Sequence, residues 1–181
     1  MKPSRTSWHG FPDVIIHSSE SSVKQHARYL AAKSGDAAAT VQLIKDTLNL
    51  QAVQTLRRIL GDGRPLLVSV HAQEAMGVNA IPEVFADVLG KELGLDTESR
   101  IVQANVVNHT GADGFSRIAR QALFAGDAEP SCDYVIVDDF IGQGGTIANL
   151  KGHIESQGGC VIAAVALTGK PYSARISLSA E

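Results

Sequence analysis

The chain has 181 residues, 44% of them hydrophobic and 19% charged, and a net charge of −3 at pH 7. Such a composition is typical of a soluble single domain with its own core, and it offers no overall attraction for nucleic acid. The longest apolar run, residues 161–167, is too short to cross a bilayer, and because the first residues lack an apolar segment no secretory signal is expected. Cys132 and Cys160 match neither a metal-ligand spacing nor a disulfide framework. We therefore expect a cytoplasmic protein with no nucleic-acid or membrane partner.

The first third of the chain is predicted to be mainly helical. A short strand is expected over residues 14–16, followed by helices over 22–33, 37–48 and 52–60. The glycines at 61 and 63 end the last of these helices. We interpret residues 1–63 as an N-terminal helical extension that caps the rest of the domain.

Strand and helix patterns alternate over the remaining chain. Strands are predicted over 66–70, 101–107, 134–137 and 161–167. Helices are predicted to start near Asn79 and Pro82 and end at residue 93, and to cover 116–124 and 146–156. This alternation predicts an α/β fold with a mostly parallel sheet and helices on both faces, whose core is residues 64–170.

The most informative stretch begins with apolar residues 135–137, continues with Asp138 and Asp139, and ends in a glycine-rich turn before a predicted helix. Ligands of open α/β sheets lie beyond the carboxyl ends of strands. Glycines allow the backbone to approach a ligand, and N–H groups at a helix start bind phosphate. Carboxylates instead accept hydrogen bonds from ribose hydroxyls or help to hold a cation. The alternative is a plain strand-turn-helix with solvent-facing acids.

This stretch resembles the phosphoribosyl pyrophosphate motif of the type I phosphoribosyltransferases, in which four apolar residues precede two acids and a small Thr/Gly-rich loop. The resemblance implies the type I fold, with Asp138 and Asp139 engaging the ribose 2′- and 3′-hydroxyls. It further implies that the 5′-phosphate is bound by Ile141, Gly142, Gln143, Gly144, Gly145 and Thr146. From the residues alone, Thr146 is expected either to cap the following helix or to donate its hydroxyl to that phosphate.

The resemblance also implies a pyrophosphate site and a metal ion. The pyrophosphate loop maps to His71, Ala72, Gln73 and Glu74, and Arg117 and Arg120 are candidate cations one helical turn apart. Mg²⁺ usually bridges pyrophosphate and ribose in this family, so Asp138 and Asp139 are expected to reach it through ribose or water. Members of the family are commonly dimers, which makes a homodimer an expectation here.

The sequence departs from the family pattern at several positions. Gln143 stands where a Thr or Ser is usual, and Gly142 stands where hypoxanthine-guanine enzymes carry an acid. The segment over 71–74 lacks the usual glycine. Three functions therefore stay open: an enzyme that transfers phosphoribosyl from phosphoribosyl pyrophosphate, or a related ribose 5-phosphate ligand, to a nitrogen acceptor; a non-catalytic sensor of the donor or of a nucleotide; and a protein-interaction module that keeps the fold.

Overall fold

A parallel sheet lies at the centre of the molecule. The computed structural model describes residues 5–8, 10–70, 73–74, 77–105 and 121–176. The strands of these residues are β1 (Ile15–Ser18), β2 (Leu66–Ser69), β3 (Gln73–Glu74), β4 (Gly77–Val78), β5 (Thr97–Glu98), β6 (Val102–Gln103), β7 (Phe124–Ala125), β8 (Asp133–Ile141) and β9 (Cys160–Gly169). The central sheet has the order β1-β9-β8-β2-β5, and every neighbouring pair in it is parallel. The pairs β3–β4 and β6–β7 are antiparallel and separate from it.

Helices cover both faces of this sheet, as the alternating pattern predicts. They are α1 (Glu20–Lys24), α2 (Tyr29–Lys33), α3 (Ala37–Thr47), α4 (Leu50–Leu60), α5 (Ile81–Leu93) and α6 (Gly145–Glu155), with a 3₁₀ turn at Pro171–Ser173. Helices α1 to α5 pack on the face that carries Val135 and Val165. Helix α6 packs on the other face, against Ile136 and Ala164. Burial of these two apolar layers is the main source of stability for such a domain.

Four helices begin and end within two residues of their predicted bounds, because local signals define them. Asp36 caps α3 by accepting the N–H of Ala39 at 2.9 Å, and Asn49 caps α4. Helix α5 ends at Gly94, whose φ of 70° is left-handed. Within the described residues, no helix combines the length and the apolar character that a membrane span requires.

The prediction of a single helix over 22–33 is wrong, because this segment forms two short helices, α1 and α2. The break is explained by His26, whose Nδ1 accepts the backbone N–H of Arg28 at 3.1 Å, while its Nε2 lies 3.1 Å from Asp46 Oδ2 on α3. A side chain that takes a backbone N–H in this way competes with the helical hydrogen bond. The start is also earlier than expected, since Ser19 caps α1.

The predicted second core strand and the helix after it are also corrected. The strand next to β2 is β5, and the chain then turns out of the sheet where the buried Glu98 accepts the N–H of Arg100 at 2.7 Å. The end of the helix predicted over 116–124 is instead β7, paired with β6. Asn105 explains this hairpin, because its side chain bonds the backbone of Gln121 and Leu123 at 2.9 and 2.7 Å. Residues 116–120 lie outside the described part of the chain.

The two long strands extend further than the apolar pattern indicates. Strand β8 is paired with β9 up to Ile141 and Gly169, so Asp138 and Asp139 lie inside the strand and not after it. The N-terminal region adds β1 to the sheet edge, where it pairs with β9. The division of the chain at residue 63 stays a prediction.

His17 on β1 makes the stability of the fold depend on pH. Its ring is 4% exposed, packs edge-on against Phe85 at 5.0 Å, and accepts the N–H of Asn49 through Nδ1 at 3.3 Å. Burial lowers the pKa of His17 from 6.5 to about 4. The unfolded chain therefore binds a proton more readily, and stability present above pH 6.5 is lost as the pH falls toward 4.

We expect the free energy of unfolding to fall by about 2 kcal/mol between about pH 7 and about pH 5 from this group alone. Urea denaturation at both pH values measures it, and His17→Leu should remove most of this difference. His26→Gln, at the surface pair with Asp46, is the matched control and should retain it. An unchanged pH dependence in His17→Leu would assign the effect to other groups.

Candidate functional site

The candidate site lies where the strand order of the sheet reverses. The chain passes from β2 to β5 on one side and later returns to β8 on the other side of β2. Such a reversal leaves a crevice at the carboxyl ends of the two diverging strands, which is where α/β folds bind ligands. The acidic pair lies at the carboxyl end of β8, and the loop to α6 follows it directly.

Asp139 is held by groups from two other elements. Its Oδ2 accepts a hydrogen bond from Lys33 Nζ of α2 at 2.9 Å and another from Asn79 Nδ2 at 2.8 Å. Burial favours the neutral acid, but the charge of Lys33 and the bonds from Lys33 and Asn79 outweigh it and lower the pKa of Asp139. Asp139 therefore carries a negative charge that is already compensated within the protein.

Asp138 behaves in the opposite way. It is 7% exposed, and its Oδ1 accepts the backbone N–H of Asp139 at 2.8 Å. Burial, and then the negative charge of Asp139, raise the pKa of Asp138 well above its usual range. The pair therefore favours one negative charge, located on Asp139. A buried acid whose pKa is raised at the end of a strand is a recognised mark of a functional group.

The glycine loop carries the start of α6 to this edge of the sheet. Gly144 is the N-cap with φ of 70°, and an added Cβ would lie 3.0 Å from Cγ2 of Ile176, so a side chain there is strained and crowded. Ser173 donates its hydroxyl to the carbonyl of Gly142, which ties the loop to the turn after β9. Among the described residues, no side chain caps this helix, so of the two roles considered for Thr146 the structure does not show capping. The first N–H groups of a helix lack intrahelical acceptors and attract anions.

Arg5 lies beside this helix start. Its Nε donates to Asn149 Oδ1 at 2.9 Å, and its Nη2 lies 3.8 Å from where a Cβ of Gly145 would be. The segment that carries it is fixed by Lys151, which is 5% exposed and donates to Thr6 Oγ1 at 2.8 Å and to the carbonyl of Ser7 at 3.0 Å. A cation at the positive end of a helix is unfavourable on its own and becomes favourable when an anion binds between them.

The structure brings together some of the residues singled out in the sequence. The acidic pair and the loop over 141–146 are adjacent at one edge. Of the expected pyrophosphate loop, Gln73 and Glu74 form β3 beyond β2, while His71 and Ala72, like Arg117 and Arg120, lie outside the described residues.

Lys33, Asn79 and Arg5 were not found by sequence reasoning. Lys33 has the pattern of a solvated lysine near a helix end, and Arg5 precedes the first predicted strand. Asn79 was recognised in the sequence as a polar residue at the start of the helix that contains Pro82. That pattern indicates a helix start and does not identify Asn79 as a partner of Asp139.

Within the described residues, no group of three or more His, Cys, Asp or Glu side chains is arranged to hold a metal ion. Asp139 Oδ2 is bonded to an ammonium and an amide N–H₂, which are donors and not metal ligands.

No family model matches the chain. It is 41% identical over 164 residues to Protein TraN of Escherichia coli, which covers 91% of this chain and 37% of TraN. It is 39% identical over 151 residues to an uncharacterized protein of Haemophilus influenzae, covering 83% of this chain and 34% of that one. The chain thus spans little more than a third of the length of these relatives.

Solved structures similar to the chain include phosphoribosyltransferases. The adenine phosphoribosyltransferase of Saccharomyces cerevisiae has a TM-score of 0.48 and 18% identity, covering 77% of this chain and 76% of that one. The adenine phosphoribosyltransferase of Leishmania donovani has a TM-score of 0.46 and 14% identity, covering 84% of this chain and 57% of that one. A purine phosphoribosyltransferase of Pyrococcus horikoshii has a TM-score of 0.42 and 22% identity, covering 70% of this chain and 77% of that one. Similarity of this degree is compatible with many functions, because a fold does not specify an activity.

Proposed function

We propose that the chain binds a 5-phosphorylated ribose donor, phosphoribosyl pyrophosphate, and transfers its phosphoribosyl group to a nitrogen acceptor with release of pyrophosphate. The observation that carries this proposal is the juxtaposition of a glycine-capped helix start with an acidic pair, buried Asp138 and partly buried Asp139, at the crevice between β2 and β8. One half of that arrangement attracts an anion, and the other accepts hydroxyl hydrogen bonds, which together match a phosphorylated sugar.

The 5′-phosphate is assigned to the loop from Ile141 to Thr146. Gly144 turns the backbone so that α6 begins at Gly145, and the N–H groups of the first turn provide donors. Arg5 adds a positive charge beside the same turn. A phosphate bound there would offset both the guanidinium and the helix dipole, which supports this location.

The ribose hydroxyls are assigned to the acidic pair. Asp138 is the last residue of the buried run of β8, Asp139 follows it, and both lie close to the phosphate loop in the chain. The raised pKa of Asp138 supports a role in binding, because burying a carboxyl group without a cation of its own costs stability.

Pyrophosphate and Mg²⁺ are assigned beyond β2, at residues 71–74, with Arg117 and Arg120 as the cations. Mg²⁺ would be held mainly by the oxygens of pyrophosphate, and its chemistry is to neutralise the charge of that leaving group. The acidic pair would reach the ion only through ribose or water. The homodimer remains a prediction.

A second candidate is a non-catalytic sensor of the donor or of a nucleotide. It is favoured by the contacts of Asp139, whose Oδ2 is already bonded to Lys33 and Asn79. Because the charge of Asp139 is compensated within the protein, the site can bind a ligand but lacks the uncompensated charge that a reaction centre often carries. Release of pyrophosphate from the donor, measured with a panel of nitrogen bases, separates the enzyme from the sensor.

Calorimetric titration of phosphoribosyl pyrophosphate with Mg²⁺ tests the proposal directly. We expect saturable binding by the wild-type chain and its loss in Asp138→Asn/Asp139→Asn, since both ribose acceptors are weakened. The control is Asp62→Asn/Asp87→Asn, which removes two negative charges from exposed positions and should bind normally. The proposal is refuted if the folded wild-type chain does not bind the donor.

Arg5→Gln should weaken binding of the donor about tenfold, because it removes one charge-assisted contact to the 5′-phosphate. Arg64→Gln is the matched control, since Arg64 bonds the carbonyl of Gly94 at the opposite edge of the sheet and should leave affinity unchanged. The same titration measures both variants. Equal affinities for wild type and Arg5→Gln would exclude Arg5 from the phosphate site.

The two aspartates should differ in their effect on stability. At about pH 7, Asp138→Asn should leave the free energy of unfolding unchanged or raise it by about 1 kcal/mol, because it removes a buried acid and keeps an acceptor for the N–H of Asp139. Asp139→Asn should lower it by about 2 kcal/mol, because it leaves the partly exposed Lys33 without its counter-ion. Urea denaturation compares them, and equal losses would give Asp138 a structural role.

A further inference from the structure

Two hydrogen bonds converge on one oxygen atom of Asp139 from two distant parts of the chain. Lys33 Nζ, at the end of α2, lies 2.9 Å from Asp139 Oδ2 on β8, and Asn79 Nδ2, before α5, lies 2.8 Å from the same atom. The side chains of Lys33 and Asp139 are 22% and 16% exposed. At such a shielded position the ammonium is a fixed counter-ion and not a passing surface contact.

The orientation of Asn79 is determined by the helix that follows it. Its Oδ1 accepts the N–H of Ile81 at the start of α5 at 3.2 Å, and the residue is 2% exposed. The N–H₂ group therefore faces Asp139. A divalent cation such as Mg²⁺ requires oxygen ligands, and the opposite orientation of this amide would be needed to supply one. That orientation would place an oxygen against the carboxylate and would leave the N–H of Ile81 without its bond.

Asp138 also lacks the disposition of a metal ligand. Its Oδ1 accepts the backbone N–H of Asp139 at 2.8 Å, and the residue is 7% exposed. An ion at Asp138 Oδ1 would have to replace this backbone bond, and an ion at Asp139 Oδ2 would have to replace the bonds from Lys33 and Asn79. It would also have to approach the Lys33 ammonium at short range, where like charges repel strongly.

We propose that the Lys33 ammonium is a built-in counter-ion that fills the place of a divalent cation at Asp139, so that the acidic pair does not ligate a metal directly. The chain thus neutralises its acidic pair with a side chain from α2. This inference concerns the ligand-free chain and is independent of the proposed function, because it can be tested without any sugar phosphate.

Titration with Mn²⁺, followed by the electron paramagnetic resonance signal of the free ion, tests the inference. The wild-type chain should show no Mn²⁺ binding that depends on Asp139. Lys33→Met should gain such a site, with affinity at least about tenfold higher than wild type, because a unit positive charge has left its neighbourhood. Asp139→Asn in the Lys33→Met background should lose it again.

Two controls separate charge from position. Lys33→Arg keeps the positive charge and should bind as little Mn²⁺ as wild type. Lys91→Met removes an exposed lysine charge from the last turn of α5, at the opposite end of that helix from Asn79, and should not create a site that depends on Asp139. Circular dichroism and thermal denaturation of each variant establish that it is folded.

Either of two results would overturn the inference. The first is saturable Mn²⁺ binding by the wild-type chain that Asp139→Asn abolishes. The second is a folded Lys33→Met variant that gains no Mn²⁺ affinity. The first comparison does not involve Lys33→Met, so the inference stays testable even where that variant does not fold.

Discussion

The pairing of β8 with β9 past the acidic pair, up to Ile141 and Gly169, is the constraint on which the candidate site depends. Gly169 makes this pairing possible, because a Cβ at that position would collide with the side chain and backbone of Ile141. The strands keep one register from Val135 to Ile141, and the chain turns directly after it, at Gly142. The start of α6 is then directed to the edge of the sheet at which β2 also ends.

This constraint also explains why two adjacent aspartates have different environments. Both belong to a hydrogen-bonded strand, so neither can rotate its backbone to reach solvent. Asp139 lies near α2 and the start of α5, where Lys33 and Asn79 compensate its charge. Asp138 has a backbone N–H as its bonded partner and retains a raised pKa. The fold thus tolerates one unfavourable buried acid at the crevice, as proteins often do at functional sites.

The parts of the structure that depend on neighbouring residues were predictable from the sequence. Helices α3 and α5 follow from Asp36, Pro82 and Gly94, whose caps and turns act within a few residues. The position of the acidic pair and glycine loop follows from the order strand, acids, glycines and helix. That order does not reveal where β8 ends, because its last residues are defined by pairing with β9 and not by their own apolar pattern.

The parts that depend on distant residues were not predictable. Lys33 lies 106 residues from Asp139 in the chain, and Asn79 lies 60 residues from it, so no local pattern joins them. The hairpin of β6 and β7 depends on the bonds of Asn105 to residues 16 and 18 positions away. A lone asparagine or lysine in a sequence does not identify such a partner.

The anchoring of residues 5–8 has a consequence for the order of folding. The buried ammonium of Lys151 is bonded by Thr6 and Ser7, which precede it by 145 and 144 residues. During synthesis Thr6 and Ser7 leave the ribosome long before α6 is made, so their bonds to Lys151 can form only after α6 has been synthesised. Closing so long a loop is among the slower events of folding. We therefore expect Arg5 to take its position beside the start of α6 only after the sheet has formed.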